Sequence, residues 1–325
     1  MMSLQALCSA VAGAVLMAGA PTAVAQEWPT RPLQVVSPFT AGNANDIVAR
    51  VVLDQVGKQI GQSFVIENRP GGGGTLGAAF VAKADPDGYT FLLHSSSLSS
   101  QVVLHRTLPY DPVRDFAPVI LFGIQPSVLV AAPSKGFKTV ADLVAAAKAK
   151  PGTLNFASAG IGSASHMAGE RLRLAAGIDV QHIPFRGPVE AFTDVMAGRI
   201  DYYFLPIAPA LPVVQQGQVV ALAVSTPTRA PALPDVPTVA EAGYPDAGYL
   251  FWGGLSAPAK TPRHIIDKLH DETRKALDMP AVQERLAKIG VQPMPMDVDQ
   301  FGKFFRDDVA ATIKLGKDAH IVPTN

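Results

Sequence analysis

The sequence predicts an α/β protein folded as two similar lobes with a cleft between them, and three observations predict it. Strand and helix patterns alternate along the chain, the same order of elements recurs further on, and two apolar segments are placed to cross between the halves. At 325 residues with 48% apolar side chains, the chain exceeds one small domain and can bury two cores.

The elements follow in order. After Trp28-Pro29, the run Leu33-Gln34-Val35-Val36 reads as a short buried strand that Pro38 stops, with a loop from Phe39 to Asn45. From Asp46 to Ile60, Ile47, Val48, Val51, Val52 and Val56 recur at helical spacing, and Gly57 and Gly61 punctuate the end. A strand from Phe64 to Glu67, a turn at Arg69-Pro70-Gly71, a helix from Thr75, a turn at Asp87-Gly88 and a strand from Tyr89 to Leu93 complete the first set. This alternation is the signature of a parallel sheet. The order returns with a strand from Leu154 to Ala157, a Gly-rich loop from Ser158 to Ser165 and a helix from His166 to Ala176. A strand from Val180 to Phe185, a turn at Arg186-Gly187-Pro188, a helix from Val189 to Ala197 and a strand from Asp201 to Leu205 follow. Arg186 lies 117 residues after Arg69, and Gly160 stands where Gly42 stands, which points to two related lobes.

Val119 to Ala131 and Leu250 to Pro258 are the expected crossings, and a double crossover makes a hinge. The helical stretches Pro262 to Leu277, Pro280 to Ile289 and Asp299 to Leu315 are expected to return to the first lobe. The expected division is a leader at 1–25, a discontinuous first lobe at 26–124 and 254–325, and a second lobe at 125–253. The leader reading rests on the apolar run from Ala6 to Ala20 and the small-residue motif Ala23-Val24-Ala25, so export with cleavage after Ala25 is expected. Cys8 is the only cysteine, which leaves the mature chain without disulfides or thiolate chemistry.

Lys plus Arg balances Asp plus Glu at 27 each, so no net basic field exists to hold nucleic acid. The histidines form no H-E-x-x-H pattern, there is no G-x-S-x-G elbow, and Ser165 stands where a dinucleotide loop needs its third glycine. Neither a metal nor a cofactor is expected.

Ligands of open α/β sheets bind beyond the carboxyl ends of the strands. Three loops qualify: Phe39 to Asn45, Ser95-Ser96-Ser97, and Ser158 to Ser163. Their small residues let a ligand approach backbone N–H groups, hydroxyls add donors, and following helices present positive N-termini, which suits an anion. Candidate contacts are Phe39, Thr40, Ala41, Gly42, Asn43 and Asp46; Ser95 and Ser96; and Ser158, Gly160, Ile161, Gly162, Ser163 and His166. Asn43 or Asn45 with Asp46 fits a helix cap better than a ligand contact, and His166 fits a packing or capping role as well as a contact. Arg186 is the stronger cationic candidate, with Arg69 read as structural. Phe185 and Tyr203 can wall the pocket, although aromatic residues here also suit the core.

Beyond single residues, a set of motifs resembles the solute receptors of the tripartite tricarboxylate transport system, the Bug receptors. They are Pro38-Phe39-Thr40-Ala41-Gly42 with Asp46; Glu67-Asn68-Arg69-Pro70-Gly71; Pro86-Asp87-Gly88-Tyr89-Thr90; Tyr110-Asp111-Pro112; Gly160 with Gly162-Ser163 and His166; Phe185-Arg186-Gly187; and Pro237-Thr238-Val239-Ala240-Glu241-Ala242-Gly243. The resemblance implies a type II-like Venus-flytrap fold in the periplasm, no catalysis, and delivery of carboxylates to a complex of two integral membrane subunits. It implies that Ser158, Gly160, Gly162 and Ser163 hold one carboxylate, with Phe39, Thr40, Ala41 and Gly42 assisting through ordered water. The chain departs from the family pattern at Asn43, where a second glycine is common, at Phe185-Arg186-Gly187, where Tyr-Lys-Gly is frequent, and around Ala310-Ala311-Thr312, which lacks a frequent tryptophan.

The expectation is a monomeric periplasmic carboxylate receptor. An exported α/β hydrolase, or a sensor feeding a signalling partner, is the alternative.

Overall fold

A computed structural model describes residues 28–323. The expected leader at 1–25 and its cleavage point lie outside the described residues.

Two five-strand layers dominate the molecule. The first is built from β1 (Leu33–Ser37), β2 (Phe64–Asn68), β3 (Thr90–Ser95), β4 (Phe116–Gln125) and β10 (Phe251–Pro258), in the order β2-β1-β3-β10-β4. Strands β1, β2 and β3 run parallel, while β10 runs antiparallel to both β3 and β4. The second layer has β5 (Ser127–Ala131) between β8 (Tyr203–Pro206) and β9 (Val220–Val224), both antiparallel to it. Its other part is the parallel pair β6 (Asn155–Ser158) and β7 (Gln181–Pro184), joined to β8 by a parallel bridge between Phe156 and Tyr202. The second order is therefore β7-β6-β8-β5-β9, the counterpart of the first. The repeat read from the sequence is present. The purely parallel expectation is corrected, because in each layer the fourth strand enters from the opposite lobe and has to run backwards.

Pro126 separates β4 from β5 and lacks the N–H that would continue the ladder. On its two sides Gln125 pairs with Phe251 in the first layer and Ser127 pairs with Pro206 in the second. The apolar stretch from Val119 to Ala131 thus divides into one strand for each layer.

Helix α1 (Ala44–Ile60) lays Val48, Val52 and Val56 on the first layer and ends at Gly61, whose φ of 71° is the left-handed conformation that a glycine cap tolerates. α2 (Thr75–Ala82) and α3 (Ser96–Leu104) follow β2 and β3. In the second half come α4 (Val140–Ala149), α5 (Ala164–Ala176), α6 (Pro188–Met196) and α7 (Ile207–Gln215). The last three helices, α8 (Arg263–Asp278), α9 (Pro280–Lys288) and α10 (Val298–Asp318), pack on the first layer, with Phe301, Phe305 and Val309 against Trp252. The far end of α10 departs from expectation: Leu315 joins the second-lobe core, with Ile321 packed against it. A third connection therefore spans the lobes beside the two strand crossings.

Candidate functional site

The Gly-rich loop of the second lobe is held from behind by its own side chains. Ser158, at the end of β6, is buried; its hydroxyl accepts from the Gly160 N–H at 3.1 Å and lies 2.6 Å from His182 Nε2. Ser165 Oγ accepts from the Ala159 N–H at 3.0 Å, and His166 Nδ1 accepts from the Gly162 N–H at 3.0 Å. His166 and His182 stack with ring centroids 4.0 Å apart, next to Phe156. Burial is the main cause that pushes His166 down to about 3, assisted by the charges of His182 and Arg173, and burial pushes His182 down to about 4. Both rings are neutral at physiological pH and serve as props. The Gly162 bond fixes Nδ1 of His166 as the acceptor and so puts the proton on Nε2.

These bonds leave a defined set of open donors. Ser163 caps α5 through the His166 N–H at 3.3 Å, and its own N–H is taken by the Gly160 carbonyl at 3.1 Å. The contact expected of Ser163 therefore falls to its hydroxyl and not to its backbone N–H. The backbone N–H groups of Ile161, Ala164 and Ser165 have no protein acceptor among the described residues. Two of them open the helix, where unsatisfied N–H groups and the helix dipole favour negative charge. Gly160 and Gly162 have φ of 124° and 75°, which allows the loop to turn its amides outward.

The first-lobe loop is braced by Asp46. Its buried carboxylate accepts from the Gly42 N–H at 3.0 Å, from Arg50 Nε at 2.9 Å and Nη2 at 3.1 Å, and from Asn68 Nδ2 at 3.1 Å. Burial works to raise its pKa, but the bonds from Arg50, Gly42 and Asn68 outweigh that and hold it below the usual carboxylate range. Asn43 accepts from the Asn45 and Asp46 N–H groups as the cap of α1, and its amide donates to the Thr40 carbonyl at 2.8 Å. Of the two uses open to Asn43 and Asp46, the geometry takes the cap. Thr40 and Ala41 are exposed, and their N–H groups have no protein acceptor among the described residues.

A small recess joins Phe39, Gly73, Gly74, Ser97 and Gln101. Ser95 and Ser96, the expected contacts, are both about 1% exposed; Ser97 is the serine that lines the recess, with its hydroxyl 2.7 Å from that of Ser95. The shift has a local cause: Ser95 caps α3 and Ser96 begins it, so the outward position falls to the next residue. Gly73 and Gly74 of the run Gly71 to Gly74 form part of this wall, and a Cβ on Gly74 would sit 3.1 Å from the Phe39 ring.

The remaining candidates separate cleanly. Phe185 donates its N–H to the Ser158 carbonyl at 3.0 Å and so lies beside the Gly-rich loop. Ile161 is half exposed at the loop tip, while Tyr203 is 1% exposed in the second-lobe core. Arg69 is tied to Glu67 and lies over the Phe80 ring at 3.6 Å, whereas Arg186 is exposed and forms no ion pair among the described residues. The lobes touch where Leu104 of α3 meets the loop: a Cβ added to Gly162 would lie 2.1 Å from Leu104 Cδ1. His182 and Ser165, both unforeseen, carry the loop's support. Histidine spacing gives no sign of this, because His182 and His166 meet only through the fold.

Residues 48–320 match the sequence profile described as the tripartite tricarboxylate transporter family receptor. The chain belongs to this receptor family. A relative from Pseudomonas sp. (strain P51), the protein of the tcbD-tcbE intergenic region, is 38% identical over 289 residues, covering 89% of this chain and 86% of its own. BugT of Bordetella pertussis is 34% identical, with 88% of each chain covered. Among solved structures, the R. palustris protein with adipate superimposes with a TM-score of 0.80 at 32% identity, over 91% of this chain and all of its own. MatC of Rhodopseudomonas palustris with bound malate gives a TM-score of 0.76 at 33% identity, over 89% of this chain and 100% of its own. The receptor therefore has the two-lobed, type II-like fold of periplasmic binding proteins. Its Gly-rich loop and its Asp46-braced loop follow β6 and β1, strands that hold equivalent places in the two lobes.

Proposed function

We propose that this receptor binds a small carboxylate in the cleft between its lobes and presents it, after hinge closure, to integral membrane transporter subunits. The observation that carries the reading is the group of unpartnered N–H donors at Ile161, Ala164 and Ser165, on a loop without an acidic side chain. A carboxylate there meets preformed donors and a helix N-terminus without needing a buried lysine. In this reading Thr40 and Ala41 contribute from the first lobe, Ser97 adds a hydroxyl, and Arg186 serves the far end of the ligand. Adipate and malate on the solved relatives support this class.

The reading includes the lobe division at 26–124 with 254–325 and at 125–253, a periplasmic monomer, and cleavage of the leader after Ala25. It also includes the absence of catalysis. Ser158 and His182 form a short hydroxyl–imidazole pair, which is the beginning of a hydrolase dyad. Yet Ser158 is fully buried, no carboxylate among the described residues hydrogen-bonds His182, and burial has taken the basicity from that imidazole.

A thermal-shift series with adipate, malate, tricarboxylates, aromatic acids and neutral analogues tests the proposal. Ligands that bind only the folded form raise Tm. Stabilisation by neutral solutes and by no carboxylate at about millimolar concentration overturns it.

A further inference from the structure

A second cavity, of about 440 Å³, lies where the lobes join, between α5, the segment after β9, the turn leading into β10, and α10. Its volume falls in the range of small-molecule sites. Asp308 of α10 lines it. Both donors to this carboxylate, Ser99 Oγ and Trp252 Nε1 at 3.1 Å, address Oδ2, and Oδ1 accepts from no described group. Asp308 forms no salt bridge among the described residues; Arg171 acts on this largely buried carboxylate through its charge without pairing with it. Arg171 of α5 also lines the cavity; its Nη1 donates to the Gly248 carbonyl at 2.6 Å, and the remaining guanidinium donors have no described acceptor. Tyr249, Leu250 and Phe304 supply an apolar wall to the same space.

We propose that this cavity is a second ligand site, for a small zwitterion of the α-amino acid type. Its ammonium group sits on Asp308 Oδ1, its carboxylate on the N–H groups that Arg171 leaves open while its guanidinium lies over the Tyr249 ring at 5.7 Å, and its apolar side chain against Leu250 and Phe304. A metal ion is the poorer occupant, since no group of three or more ligating side chains exists among the described residues. Because α5 belongs to the second lobe while α10 packs mainly on the first, an occupant bridges elements that move relative to each other when the cleft closes. Binding at the two sites is then coupled, and equally so in both directions.

Titration calorimetry of the purified receptor with L-leucine and L-phenylalanine tests this, with 3-methylbutylamine as a probe lacking the carboxylate. The fluorescence of Trp252, whose indole shares Asp308, serves as the local readout. The expected result is binding of one or both amino acids, weakened at least about tenfold in Asp308→Asn and in Arg171→Gln, with the amine far weaker. Arg171→Gln alters a partly exposed side chain and keeps the test valid if Asp308→Asn fails to fold. Ala164→Pro, which alters the cleft, is expected to leave this binding in place. No heat and no fluorescence change at about 10 mM amino acid overturns the proposal. So does binding that Ala164→Pro removes and that Asp308→Asn and Arg171→Gln both leave unchanged.

Discussion

Replacing Ala164 by proline removes one backbone donor from the mouth of α5 while leaving the helix its ordinary construction. Ala164 is the first helical residue, where proline is well accommodated because that N–H has no intrahelical partner. The preceding Ser163 has φ −65° and ψ 160°, the extended conformation that a following proline requires. In this receptor the Ala164 N–H has no protein acceptor among the described residues, so no internal bond is lost. If that group donates to the ligand carboxylate, the loss is one charge-assisted hydrogen bond of about 1.5–3 kcal/mol, or about tenfold to a hundredfold in Kd. Calorimetry on the best ligand of the thermal-shift series measures the affinity, and the ligand-free Tm reports the fold. An unchanged Kd with an unchanged Tm removes the start of α5 from the anion site. A large fall in ligand-free Tm refutes the argument that the N–H is unused.

Arg186→Gln is expected to leave ligand-free Tm unchanged, since the side chain is exposed and forms no ion pair among the described residues, and to alter the ranking of carboxylates in a thermal-shift series. Asp46→Asn removes the acceptor that ties Gly42 to Arg50 and is expected to cost about 1–3 kcal/mol in urea unfolding, with weaker ligand binding because the first-lobe loop loses its brace. Gly162→Ala places a methyl group against Leu104 at a φ of 75° and is expected to hold the lobes apart; scattering with ligand would show a larger radius than wild type, and Leu104→Ala in the same chain is expected to restore part of the closure. His166 and His182 are held well below 6.5 in the fold, so the unfolded chain takes up their protons first as pH falls. Stability is therefore expected to decline from about pH 6.5 towards pH 4, and His182→Gln to flatten that slope in chemical unfolding followed against pH.

Periodicity and punctuation in the sequence determined the alternation of strands and helices, the internal repeat, and the three loops beyond the strand ends. These are local or short-range properties: Pro38 stops a strand and Asn43 caps a helix whatever surrounds them. The same loops gave the Gly-rich site proposed for the anion, because small residues before a helix suit close approach to backbone N–H groups at a strand end. Tertiary structure alone decided which atoms remain open. The Ser163 N–H is consumed by Gly160, Asp46 faces inward because Arg50 and Asn68 wait there, and Ser97 replaces Ser96 because α3 begins one residue too early for Ser96 to face out. The backward run of β5 and β10 follows from the double crossing, which no single strand encodes. Most of all, the stacked pair His166 and His182 and the hinge carboxylate Asp308 draw their properties from burial among residues far away in the chain. Desolvation and partner supply are set by the folded surroundings, so a histidine or an aspartate in a sequence has no fixed charge until the fold assigns it one.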